Sequence, residues 1–160
     1  MNFLSSLHNK SLALFLVRVG LASVFIYHGW MKVSDLGGTA GMFETMGLAP
    51  FWAYVVAWVE FLGGILMLAG VRVREVGVLL AVVMVVAIFK VHLPNGFNFM
   101  NGGYEFQLTL LLSSLAMVFA GPGKYVLFTH KGCQNCKDGT CVICKDKECG
   151  HCKDGKCQCK

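Results

Sequence analysis

Four apolar stretches separated by glycine and proline constrain this chain more than any other feature. They run over about 11–30, 51–69, 76–91 and 104–120. About 20 apolar residues suffice to cross the hydrocarbon of a bilayer. The first two stretches reach that length. The last two are short and need flanking residues or local thinning to span. Turn-forming residues punctuate the intervals: Gly37-Gly38 and Pro50, Gly70, Pro94-Asn95-Gly96 with Gly102-Gly103, and Gly121-Pro122-Gly123. The whole chain is 56% hydrophobic and 14% charged, whereas a soluble domain carries about 25% charged residues. The expected fold class is therefore all-α, a four-helix transmembrane bundle with a short irregular Cys-rich, metal-binding tail. The first stretch could also be read as a signal peptide. Arg18 interrupts its apolar run and no clean small-x-small cleavage site follows, so a membrane helix is preferred.

The second constraint lies at the other end. All eight cysteines fall in the last 28 residues, at Cys133, Cys136, Cys141, Cys144, Cys149, Cys152, Cys157 and Cys159. Their spacing repeats as C-x2-C followed by four residues, with the linkers Lys-Asp-Gly-Thr, Lys-Asp-Lys-Glu and Lys-Asp-Gly-Lys. The expected division is a membrane domain over 1–129 and a tail over 130–160. After Phe128 the large aliphatic residues are Val142 and Ile143 alone. Such a segment cannot bury enough apolar area to offset its own ordering. Bound metal can supply that free energy, on the order of 10 kcal/mol for structural zinc in small peptides.

Side-chain charge sets the expected sidedness. Four spans put both termini and the second-to-third connection on one side, with Lys10, Arg72, Arg74, Lys124, Lys131 and the other tail lysines. The opposite side has Lys32, plus Lys90 near the membrane edge. Positive residues favour the cytoplasm, so both termini are expected there. A cytoplasmic tail is kept reduced, which favours metal over disulfides. Thiolate suits Zn²⁺ or Cu(I). Two four-cysteine sites are expected: Cys133, Cys136, Cys141 and Cys144, then Cys149, Cys152, Cys157 and Cys159. A shared cluster is the alternative arrangement, and His151 could substitute as a ligand. By cysteine density and short repeats the tail resembles metallothioneins. A dithiol redox relay is the main rival. An iron–sulfur cluster is disfavoured because no apolar shell would shield it. The tail carries seven Lys and four acidic residues, which suits an anionic lipid surface. With no Phe, Tyr or Trp to stack on bases, no nucleic-acid partner is expected.

Charges inside the spans are the remaining signal. Arg18 and Glu60 lie within the first two, where a charge is costly and normally finds a partner. An Arg18–Glu60 ion pair is expected, either as a clamp on helix register or as a proton or substrate site. A second set, His28, Lys32, Lys90, His92 and Glu105, falls at the outer ends of the spans. It could bind an anion or a quinone head group, or relay protons. The bland alternative is that the lysines snorkel and the histidines rest at the interface. Tyr27, Trp30, Trp52, Tyr54, Phe97, Phe99 and Tyr104 fit an aromatic belt on that side. No nucleophile triad, phosphate loop or nucleotide fingerprint is present.

These residues together resemble the DoxX family. The pattern is Arg18-Val-Gly20 and Tyr27-His28-Gly29-Trp-Met-Lys32, then Phe43, Gly47 and Pro50. It continues with Glu60-Phe-Leu-Gly63-Gly64, Gly70 with Arg72 and Arg74, Val-His92, Gly102-Gly103-Tyr-Glu105 and Gly121-Pro122-Gly123. It covers about residues 11–128. The resemblance implies a four-helix bundle in the bacterial plasma membrane. Some relatives are subunits of thiosulfate:quinone oxidoreductase, others belong to membrane redox-defence assemblies, and many have no assigned activity. The cysteine tail is not part of that pattern. Two function classes follow. One is a membrane protein whose tail handles soft metal at the cytoplasmic face. The other is a quinone-linked oxidoreductase subunit, with redox or metal-handling protein partners. A structural subunit is the third, plainer reading.

Overall fold

The computed structural model describes residues 9–127 and, in the tail, four two-residue strands. The chain divides into two units, Met1–Phe128 and Thr129–Lys160, each considered separately. The first unit is all helical. Helix α1 is Lys10–Ser34, capped by Asn9, whose side chain accepts a hydrogen bond from the Leu12 backbone N–H. A short helix, α2, covers Leu36–Thr45. Helix α3 is Phe51–Ala69, α4 is Val73–Ala87 and α5 is Glu105–Ala120.

One expectation about length and one about a loop are corrected. The third apolar stretch is not short. A π turn at Ile88–His92 and a 3-10 turn at Leu93–Asn95 extend α4 to 23 residues, Val73–Asn95. Lys10–Ser34, Phe51–Ala69 and Val73–Asn95 are each long and apolar enough to cross a membrane, while Glu105–Ala120 is shorter. Helix α2 was not expected, because Gly37-Gly38 reads as a loop. Asp35 starts it by accepting a hydrogen bond from the Gly38 N–H at 2.9 Å, and the Thr39 hydroxyl donates to the Asp35 carbonyl at 2.7 Å. A side-chain cap of this kind outweighs weak helix propensity over one or two turns.

Small residues set the packing. Helix α1 packs chiefly on α3, and α5 on α4. A Cβ at Gly29 would lie 2.4 Å from the Phe61 backbone nitrogen, and one at Gly64 would lie 2.8 Å from the Ile26 nitrogen. Ala22, Ala53 and Ala57 are fully buried on the same faces. Backbones can approach this closely only where side chains are minimal, the usual basis of helix association in lipid. The core between the helices is filled by Leu21 and Phe25 of α1, Met67 of α3, Val76, Leu80 and Met84 of α4, and Leu110 and Met117 of α5.

The outer faces carry what a water-soluble protein would hide. Leu16, Leu79, Val82, Phe89, Leu112 and Phe119 are all exposed, Phe119 by 80%. So much apolar surface is stable only with lipid as the surrounding solvent.

In the second unit, Cys136–Lys137 pairs antiparallel with Thr140–Cys141, and Cys152–Lys153 with Lys156–Cys157.

Candidate functional site

A buried cation, Arg18, and a half-buried one, Lys32, occupy opposite ends of the bundle, and neither pairs as expected from sequence. Arg18 and Glu60 are both buried, at 1% and 3% exposure, but they do not pair. The α1–α3 contacts explain why. Gly29 faces Phe61 and Gly64 faces Ile26, which sets Arg18 level with Arg72 and Glu60 level with Trp30. At 1.5 Å per residue the two charges are separated by about 18 Å along the axis.

Arg18 is satisfied by backbone. Its Nε donates to the Met67 carbonyl at 2.9 Å and its Nη2 to the Leu68 carbonyl at 2.6 Å. Its Nη1 donates to Pro122 O at 2.9 Å and Tyr125 O at 2.5 Å. The first two acceptors belong to the last turn of α3, whose carbonyls have no partner within the helix and carry the negative end of its dipole. Gly70 ends that helix with φ at 77°. A Cβ there would sit 2.6 Å from Arg18 Nη2. Both the left-handed backbone and the guanidinium therefore require glycine. The Leu127 N–H adds a bond to Ala69 O at 3.0 Å. Arg18 is thus a fastening between α1, the end of α3 and the segment that leaves α5.

Glu60 pairs instead with Lys32. The Lys32 ammonium donates to Glu60 Oε2, and the side chains are 21% and 4% exposed respectively. Among the described residues this is the one salt bridge. Lys32 is one helical turn beyond His28 on α1 and reaches inward past Gly29, while Glu60 faces it from α3. Beside the pair, α1 and α2 enclose a groove of about 480 Å³, lined by His28, Met31, Lys32, Asp35, Thr39 and Met42 among others.

The five residues expected to converge at this end do not form one cluster. Lys32 and His28 share the groove. His92 and Glu105 brace the connection between α4 and α5: His92 Nδ1 donates to Gly102 O at 2.7 Å, and Glu105 Oε2 accepts from the Phe99 N–H at 3.2 Å. That connection is closed further by Gly103 N to Asn98 O, Tyr104 N to Gly96 O and Glu105 N to Phe97 O. Glu105 lines a separate, smaller groove with Phe99, Met100 and Phe106. Lys90 lies exposed on the π turn. The separation has a physical cause: the 96–103 backbone turns back on itself, and its own groups consume the polar side chains at its base.

Sequence reading missed the Lys32–Glu60 pairing and the whole of α2. The Gly29 and Gly63-Gly64 positions were the signal for the first, since they fix which residues of α1 and α3 are level. Ser114 was also missed. It is fully buried where α5 meets Gly77 of α4, and its Oγ, like Gln107 Oε1, has no hydrogen-bond partner among the described residues. The tail sites lie mostly outside the described residues: Cys133, Cys144, Cys149 and Cys159 are not among them, and only the backbone of Cys136, Cys141, Cys152 and Cys157 is. Among the described residues no three His, Cys, Asp or Glu side chains gather to hold a metal ion.

The fold and these residues agree with the relatives of the chain. The DoxX family profile matches residues 13–93, from the first turns of α1 to the end of the π turn. A Bacillus subtilis protein named "Putative oxidoreductase CatD" is 37% identical over 131 residues, covering 79% of this chain and 96% of the relative. The chain belongs to the DoxX family. An Escherichia coli relative, named inner membrane protein YqjF, is 28% identical over 120 residues, 72% of this chain and 89% of its own length. A Haemophilus influenzae relative without an assigned function is 32% identical over 120 residues, 69% of this chain and 84% of its own length. No solved structure matches. Family membership, the inner-membrane relative and the apolar helices place this DoxX protein in a lipid bilayer.

Proposed function

We propose that this DoxX protein serves redox and soft-metal homeostasis at the bacterial inner membrane. In this reading the bundle docks a quinone head group beside Lys32 and Glu60, and the tail cysteines hold Zn²⁺ or Cu(I). The observation that carries the reading is the Lys32–Glu60 pair, buried at one end of the bundle and open on one side to a groove containing His28. Two-electron reduction of a quinone takes up two protons. A lysine and a carboxylate in contact, partly shielded from water, can deliver and recover protons without leaving an isolated buried charge. His28 lines the same groove. The similarity to CatD supports oxidoreduction over a purely structural role.

The topology in this proposal is multi-pass with both termini cytoplasmic. The chain leaves the bundle through Pro122–Leu127, at the Arg18 end, opposite Lys32 and Glu60. Electrons for a quinone at the groove come from a separate redox partner. The tail's own chemistry is metal chelation, supported by the cysteine spacing.

Quinone reduction by membranes containing the protein, compared with Glu60→Gln and Lys32→Met variants, tests the bundle reading. Activity retained in both variants would remove it. Metal content of protein purified without added metal tests the tail. Zinc or copper near one or two ions per chain is expected, and metal-free protein with all thiols titratable would reject it. A membrane-impermeant thiol reagent should leave the tail unlabelled in intact cells and label it after lysis, compared before and after metal removal because bound metal also blocks thiols.

A further inference from the structure

We propose that the groove between α1 and α2 is a binding site for a soft monovalent cation, Cu(I) or its analogue Ag(I), with His28, Met31 and Met42 as ligands. These three side chains line one groove. His28 and Met31 stand three residues apart on α1, hence on one face of the helix. Met42 comes from α2, which the Asp35 cap turns back beside the end of α1. An imidazole and two thioethers form a donor set that selects soft metal.

Charge and donor bookkeeping excludes the competing ligands. The Lys32 ammonium is neutralised by Glu60, so no free positive charge remains to hold an anionic lipid head group. Asp35 leaves the groove with a net negative charge, which favours a cation. A hard divalent cation needs six or more oxygen donors. The groove cannot provide them: Asp35 Oδ1 is engaged by the Gly38 N–H, Thr39 Oγ1 donates to Asp35 O, and Ser34 Oγ donates to Met31 O. Apart from Asp35 Oδ2, whose charge favours a cation, the donors that carry no hydrogen bond are two sulfurs and a ring nitrogen. Met31 and Met42 are 53% and 43% exposed, so an ion can reach them without any rearrangement of the core.

The site shares its groove and His28 with the quinone reading, but its test reads metal at Met31 and Met42 and so stands apart from both that reading and the tail. The test uses the full chain with ¹³C-methyl methionine, titrated with Ag(I) while the tail thiols are counted in parallel. Signals are assigned by Met31→Leu and Met42→Leu, near-isosteric changes on exposed side chains. The Met31 and Met42 methyl signals are expected to shift together, at a further equivalent of Ag(I) beyond what the tail takes up. Met100, exposed elsewhere, is expected to stay fixed. In a chain with all eight tail cysteines changed to serine, about one Ag(I) per chain should remain. Its binding should weaken at least about tenfold in Met31→Leu/Met42→Leu and again in His28→Ala. Unmoved Met31 and Met42 signals, or silver binding indifferent to all three substitutions, would overturn the site. Failure of the tail to bind metal would leave the Met31 and Met42 shifts intact and so is read separately.

Discussion

The two ends of the bundle solve the same problem differently. Each holds one cation from α1, fully buried at Arg18 and half-buried at Lys32. Arg18 is held by four backbone carbonyls, whereas Lys32 is held by one carboxylate that is itself buried. A ring of carbonyls cannot accept or release a proton and closes around its guest. A carboxylate can, and the lysine this one holds lines a groove. The lesson is that burial alone does not mark a functional charge inside a membrane. The partner's chemistry and its access to solvent do.

Removing the cation at the closed end should have the largest effect. Arg18→Met strands the carbonyls of Leu68, Pro122 and Tyr125, each costing about 1–3 kcal/mol if unpaired, while Met67 O keeps the Gly70 N–H. Loss of folded protein in detergent is expected, measured by size-exclusion and helical circular dichroism. Arg18→Lys should rescue poorly, because one ammonium cannot reproduce a planar fork of donors. A fully stable Arg18→Met protein would erase the contrast between the ends.

Moving the helices apart comes next. Gly29→Val forces a side chain into the Phe61 backbone and should cost about 3 kcal/mol. Because Gly29 adjoins Lys32 in space as well as in sequence, thermal unfolding and quinone reduction should fall together. Stability lost with activity intact would detach the pair from the chemistry.

At the open end the effects are smaller and separable. Glu60→Gln leaves Lys32 without its counter-charge. A fully buried broken pair costs about 3–5 kcal/mol, but Lys32 is partly exposed and can turn toward water, so about 1–2 kcal/mol is expected. The Lys32→Met/Glu60→Leu double variant should recover stability relative to either single change and remain inactive. A double variant that recovers both would make this end a second clamp. Chelation of tail metal should have the least effect, leaving the melting of the bundle unchanged within about 0.5 kcal/mol. A large shift would refute the independence of the two units.

The helices were legible because apolar run length and Gly/Pro punctuation are local. The bounds of α3 match the apolar stretch from Phe51 to Ala69, and α5 differs by one residue from the stretch beginning at Tyr104. Helix α4 was underestimated because Lys90 and His92 look like an end, yet a π turn carries the helix past them. Helix α2 was missed because a cap such as Asp35 acts through one hydrogen bond that composition does not reveal. The Arg18–Glu60 expectation failed for a different reason. Opposite charges in antiparallel helices invite pairing, but depth is set by where the backbones touch, and Gly29 and Gly64 decide that. Backbone carbonyls as partners for Arg18 are invisible to any reading of side-chain types. The cysteine pattern was the plainest motif of all, and its donor chemistry is legible without any fold.

The fastening at Arg18 also has a mechanical meaning. Pro122, Tyr125 and Leu127 are all tied to α1 or to the end of α3, just before the chain leaves the bundle. They act as a strain relief, like the collar on a cable. A pull on the segment beyond Leu127 loads those bonds in shear before it can unwind the last turn of α5. Whatever is attached there, native tail or foreign cargo, can be tugged, exchanged or lengthened while the load passes sideways into α1 and the end of α3 and spares the last turn of α5.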